Sequence, residues 1–103
     1  MRTSFGEYMD ALRARLLDAS GRLPVSVRTD ILEGRIAPGL LNAFVVRVRA
    51  SATTVTPEHI AELRASGLDE DQIFEATVCA AVRAGIERYQ AAMKALSEHR
   101  DAS

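Results

Sequence analysis

Tryptophan is absent, lysine occurs once, at Lys94, and Cys79 is the single cysteine among 103 residues. One thiol can close no internal disulfide and form no Cys-x-x-Cys centre, so an oxidising secretory setting has no support and a reducing cytoplasm is the expected compartment. A long apolar run is also missing. The most apolar stretch, Leu40 to Val48, is broken by Asn42 and Arg47, and Met1-Arg2-Thr3-Ser4-Phe5-Gly6-Glu7 lacks the apolar core of a signal peptide, so no membrane partner is expected. The two histidines, His59 and His99, lie forty residues apart, and no His/Cys/Asp/Glu set has a zinc-like spacing. Neither a metal nor another cofactor is expected.

What is there has an ordinary globular balance: 48% apolar and 26% charged residues, with a net charge of −1. The length fits one domain over residues 1–103. Charge is unevenly spread. Residues 1–57 carry eight Arg against five acids, and residues 58–103 carry five bases against nine acids. Opposite halves can attract each other within one chain or between subunits. The imbalance falls well short of the clustered Lys and Arg that phosphate contacts need, so nucleic acid is not an expected partner.

Hydrophobic periodicity predicts an all-α domain of about five helices. Phe5, Tyr8, Met9, Leu12 and Leu16 recur at three-and-four spacing and predict a helix over 4–20, with Gly21 as its C-terminal cap. Pro24 suits the first position of a second helix ending near Glu33. Leu40 to Ala50 is ambiguous: its β-branched run favours a strand, but a helix gathers Leu40, Leu41, Phe44, Val45 and Val48 on one side. The helix is preferred, because no second strand exists to pair with it. Thr56-Pro57-Glu58 opens a helix that Gly67 closes, and Asp69-Glu70-Asp71-Gln72 opens the last one. That helix persists to about Leu96, with His99 to Ser103 frayed. Its apolar positions, from Ile73 and Phe74 to Met93 and Leu96, cover well over half its girth, which predicts burial on more than one side and assembly into a homo-oligomer.

The stretch His59-Ile60-Ala61-Glu62-Leu63-Arg64-Ala65-Ser66-Gly67-Leu68-Asp69-Glu70-Asp71-Gln72-Ile73-Phe74-Glu75, continued through Ala84-Gly85-Ile86-Glu87-Arg88, resembles the alkylhydroperoxidase-D-like and carboxymuconolactone decarboxylase superfamily. The resemblance is strongest over 56–96. It implies an all-helical fold and a trimer or hexamer. The redox branch of that superfamily uses a Cys-x-x-Cys pair followed by histidine, with an upstream acid in a proton relay. With His59 matched to that histidine, the cysteine positions fall on Ala52 and Val55, and no acid lies between Glu33 and Glu58. Without a thiolate the peroxidase and disulfide-reductase routes are closed, so the resemblance implies a non-redox branch.

Two residues are candidates for chemistry. His59, in the first turn of its helix, suits a general base or a leftover of the relay, against a plain interface histidine. Cys79 has Glu75 one turn before it and Arg83 one turn after, and it is read mainly as a packing cysteine rather than a nucleophile. Glu70, Asp71 and Glu75 read as surface charge. Tyr8, Phe44, Phe74 and Tyr89 are candidates to line a pocket, and Arg47, Arg49 and Arg88 to clamp a carboxylate. The leading expectation is a non-redox homo-oligomeric accessory or small-ligand-binding protein, leaning away from an enzyme. The alternatives are a decarboxylase-like or isomerase-like enzyme using His59 and a nearby Arg on a carboxylate substrate at a subunit boundary, or a partner-binding subunit that docks another protein through its long helix.

Overall fold

The computed structural model describes residues 4–18 and 21–102. Five helices follow one another: α1 (Phe5–Leu16), α2 (Val25–Leu32), α3 (Leu40–Ser51), α4 (Pro57–Ala65) and α5 (Glu70–Ala102), with a 3₁₀ turn, Ala52–Thr54, between α3 and α4. Among the described residues there is no strand. The ambiguous stretch is therefore helix, and its packing explains why: Leu41, Phe44, Val45 and Val48 fall on one buried face of α3. An amphipathic face with something to pack against outweighs the β preference of three valines, since β propensity largely measures packing on a sheet that is missing here.

Local chemistry sets most boundaries. Ser4 caps α1, its Oγ accepting the Glu7 N–H at 3.1 Å. Thr56 and His59 close a reciprocal capping box on α4, and Asp69 and Gln72 do the same for α5, with N···O distances of 2.8 and 2.9 Å. Gly67 turns the chain between α4 and α5 at φ +110, where an L side chain would be strained. Pro24, expected inside α2, is instead its N-cap, and its carbonyl accepts from Val27 and Arg28.

The core lies where α2 and α3 pack on the first half of α5. Ile31, Leu32, Val45, Ala76, Cys79 and Ala80 are essentially sealed from solvent. The second half of α5 leaves that core. Residues 87–102 include no buried side chain, and the helix runs to Ala102, so the expected fraying from His99 is not found over 99–102. At about 1.5 Å per residue, its 33 residues make the molecule elongated, 54 × 29 × 20 Å.

Arg28, unremarked in the sequence, is the one charged residue among the buried ones described, at 3% exposure. Its guanidinium donates to the carbonyls of Leu16 (2.7 Å), Asp18 (2.6 Å) and Leu23 (3.0 Å), and Glu75 lies 3.8 Å away. Thus one buried cation satisfies the loose carbonyls at the end of α1 and ties that end to α2 and α5. Glu75 completes the junction by accepting backbone N–H groups of Arg22 and Leu23. It is therefore structural rather than the surface charge expected. Gly21 is likewise not a helix cap, since α1 stops at Leu16 with Leu17 as C-cap. It leaves room for the junction: a Cβ there would lie 2.5 Å from Glu75 Oε1 and 2.6 Å from Arg28 Cζ. Ser20, the expected end of α1, and the side chain of Phe5 lie outside the described residues. Of the remaining expected α1 stripe, Tyr8 is 60% exposed and Met9, Leu12 and Leu16 are half-buried, so α1 buries its apolar face only in part.

The charge imbalance between the halves is used within the chain. Arg22 pairs with Asp69 at 2.7 Å, Arg28 with Glu75, and Arg49 with Glu87, each an N-terminal base on a C-terminal acid.

Candidate functional site: a cavity between two helix rows

On α3, Leu40, Ala43, Phe44 and Arg47 recur at three-and-four spacing; on α4, His59, Glu62 and Leu63 do the same. Such spacing stacks side chains on one helix face. The two rows border one open cavity of about 250 Å³. Phe44 and Leu63 are buried and give it an apolar floor, Arg47 and Glu62 are exposed at its rim, and His59 is half-buried between. No metal cluster of three or more His, Cys, Asp or Glu occurs among the described residues.

His59 is held by backbone. Its Nδ1 accepts the Thr56 N–H at 2.9 Å, and its own N–H reaches Thr56 Oγ1 at 3.4 Å. In a capping box this third position usually belongs to Glu or Gln, so imidazole here is doing a carboxylate's structural task. The tautomer follows from the bond. An Nδ1 that accepts carries no proton, so in the neutral ring the proton sits on Nε2, which leaves Nε2–H as a donor. A general base at Nε2 needs the other tautomer, which would set Nδ1–H against the Thr56 N–H. Geometry thus favours His59 as a fixed hydrogen-bond donor.

Arg47 differs from the other candidate arginines. Arg49 pairs with Glu87, and Arg88 donates to the Arg49 carbonyl at 3.2 Å. Arg47 donates to the Thr54 hydroxyl, at 3.3 Å, and stands beside the cavity. The three do not converge. Of the four aromatic candidates, Phe44 borders this cavity, while Tyr8 and Phe74 are 60% and 68% exposed and Tyr89 lies on the outer part of α5.

Cys79 is 1% exposed and faces the core, and burial pushes its thiol up to about 11. Arg28, not Arg83, supplies the opposing pull, and Glu75 adds to the rise. A thiol this high is almost wholly protonated at neutral pH, which fits packing and not nucleophilic attack. Ala52, in the 3₁₀ turn, is exposed and Val55, just after it, is half-buried, and both precede the N-cap Thr56 of α4.

Sequence reasoning named His59, Arg47 and Phe44 separately and missed Glu62, Leu63 and Ala43. The spacing within each helix was available, but the facing of the rows is set by how α3 and α4 pack. Comparison with protein-family models, with curated proteins and with solved structures finds no match to this chain.

Proposed function

We propose that the chain is a non-redox small-ligand-binding protein of alkylhydroperoxidase-D-like kinship, and that the cavity between α3 and α4 takes a small organic carboxylate with an apolar body. The observation that carries this is the placing of Arg47 on one row and His59 on the facing row of a single cavity, above an apolar floor. A guanidinium presents a fork matched to a carboxylate, and the His59 Nε2–H adds a second donor. Glu62, at the same rim, favours ligands that also carry a hydroxyl or amine to donate. The volume lies below the usual range of about 300–1,000 Å³ for drug-sized ligands, so the ligand is small.

The decarboxylase-like or isomerase-like reading draws less support, because the Thr56 bond withholds from His59 the tautomer that proton abstraction needs.

The test is a titration, followed by ligand-observed NMR, with 2-hydroxy-4-methylpentanoate and its amide. The acid binds and the amide binds at least about tenfold more weakly, as loss of one charge-assisted contact of about 1.5–3 kcal/mol requires. Arg47→Met lowers the affinity for the acid to that for the amide. Equal binding of acid and amide, or an Arg47→Met protein that binds as the parent does, refutes the assignment.

A further inference from the structure

Arg22, Arg49 and Arg64 each have an acid in reach: Asp69, Glu87 and Glu70 in turn. The cavity between α3 and α4 departs from that pattern. Arg47 from one row and Glu62 from the other both border it, yet among the described residues neither makes an ion pair, with the other or with any third group. Arg47 has only the neutral Thr54 hydroxyl, at 3.3 Å. On α4, neither Lys nor Arg stands three or four residues from Glu62 in either direction, while Glu58 stands one turn before it. Like charges at that spacing repel, so a cation beside Glu62 relieves a repulsion already present.

The two free charges also have a definite place. Both side chains are exposed at the mouth of the cavity, whereas Phe44 and Leu63, which make its floor, are 5% and 2% exposed. A ligand that satisfies both must therefore carry a cation and an anion at one end and an apolar body at the other. A diamine or a dicarboxylate presents a charge of the wrong sign to Arg47 or to Glu62. An amino acid with its two charges at opposite ends of an alkyl chain would set one of them on the apolar floor, where a charge without a partner is costly. An α-amino acid has its ammonium and carboxylate on one carbon, and the long stems of Arg47 and Glu62 let both close on such a head group.

We propose that the ligand of this cavity is an α-amino acid with an aliphatic side chain, held by its carboxylate on Arg47 and by its ammonium on Glu62. This rests on the reading of the cavity as a carboxylate site and adds the second charge to it. The Arg47 guanidinium and the His59 Nε2–H donate to the carboxylate, the Glu62 carboxylate accepts from the ammonium, and the side chain lies on Phe44 and Leu63. The cavity of about 250 Å³ suits one free amino acid rather than a peptide, whose internal residues carry neither charge.

Titration of the full-length protein, followed by ligand-observed NMR, compares leucine with 4-methylpentanoate, the same skeleton without the ammonium, and with leucinamide, which lacks the carboxylate. Leucine is expected to bind tightest, and each of the other two at least about fivefold more weakly, as loss of one charge-assisted contact requires. Glu62→Met removes the acceptor at an exposed helical position, so helical circular dichroism is kept, and it brings leucine and 4-methylpentanoate to equal affinity. Leucine that binds the parent no better than 4-methylpentanoate, or that keeps its advantage in the Glu62→Met protein, overturns the amino-acid assignment and leaves the carboxylate reading standing. Leucinamide that binds as tightly as leucine, or no binding of any of the three, overturns the carboxylate reading and this proposal with it.

Discussion

Removing the Arg28 guanidinium is the sharpest test of how this fold is held. Arg28→Met keeps much of the apolar stem and deletes the head, which donates to three backbone carbonyls at 2.6–3.0 Å and faces Glu75 at 3.8 Å. Hydrogen bonds to a charged group contribute about 1.5–3 kcal/mol each, and stripping one partner from a buried charged junction costs about 3–5 kcal/mol. The carbonyls of Leu16 and Asp18 regain some water once α1 loosens, and Glu75 keeps its backbone donors, so the lower end applies: about 3 kcal/mol. That is a large share of the roughly 5–15 kcal/mol that stabilises a domain. Urea unfolding followed by circular dichroism measures it.

Gly21→Ala supplies the second arm of a double-mutant cycle. A Cβ at position 21 intrudes on Glu75 Oε1 and on Arg28 Cζ and Nη1 at 2.5–2.7 Å. These are side-chain atoms, but they are pinned by backbone bonds and cannot swing aside freely. The cost is about 2 kcal/mol, within the usual range for overpacking. In the Arg28→Met background the clash with the guanidinium is gone while that with Glu75 Oε1 remains, so Gly21→Ala costs about 1 kcal/mol there, because the two sites share one space. Strict additivity of the two losses would falsify the claim that Gly21 is needed to make room for Arg28. An Arg28→Met protein within about 0.5 kcal/mol of the parent, the usual scatter of neutral substitutions, refutes the junction itself.

Cys79, with its thiol near 11 and 1% exposure, does not react with a disulfide reagent in the folded protein at pH 8 and reacts at once in urea; rapid labelling of the native state contradicts its place in the core. Acid weakens the fold through Glu33, Asp69 and Glu87, which are held below the ordinary carboxylate range by Arg13, by the Gln72 N–H and by Arg49 in turn. Their folded-state affinity for protons is lowered, so their contribution is full above the unfolded range near pH 4 and is lost below it, as pH falls through their lowered folded-state values. Urea midpoints therefore hold steady from pH 7 to pH 5 and drop below about pH 4, and midpoints that rise on acidification contradict the sign. Glu87→Gln breaks the pairings with Arg49 and Arg83 and costs about 1 kcal/mol at pH 7 after allowance for solvent screening, a loss that should shrink at pH 3.

The helices were legible because their signals are local. Thr56-Pro57, Asp69 with Gln72, and the three-and-four spacing of α3 act within one turn of chain, where sequence distance and spatial distance agree. Arg28 was not legible for the opposite reason. Its bonds reach Leu16, Asp18 and Leu23 across a turn of the chain, and in sequence it is one of twelve arginines with nothing to single it out. The candidate cavity falls between these cases. Each wall is a readable helical row, yet a row becomes a wall only when another faces it, and the approach of α3 to α4 is fixed by the core beneath Phe44 and Leu63. His59 shows how far residue type alone can mislead. Its side chain suits acid–base chemistry wherever it occurs, and only the bond from the Thr56 N–H to Nδ1 turns it from a candidate base into a fixed donor. The broad apolar girth of α5 was readable, but its division into a face for α2 and α3 and a face for something else required knowing where those helices end. They end before the outer half of α5 begins, and that mismatch of lengths leaves Met93 at 41% and Leu96 at 39% exposure.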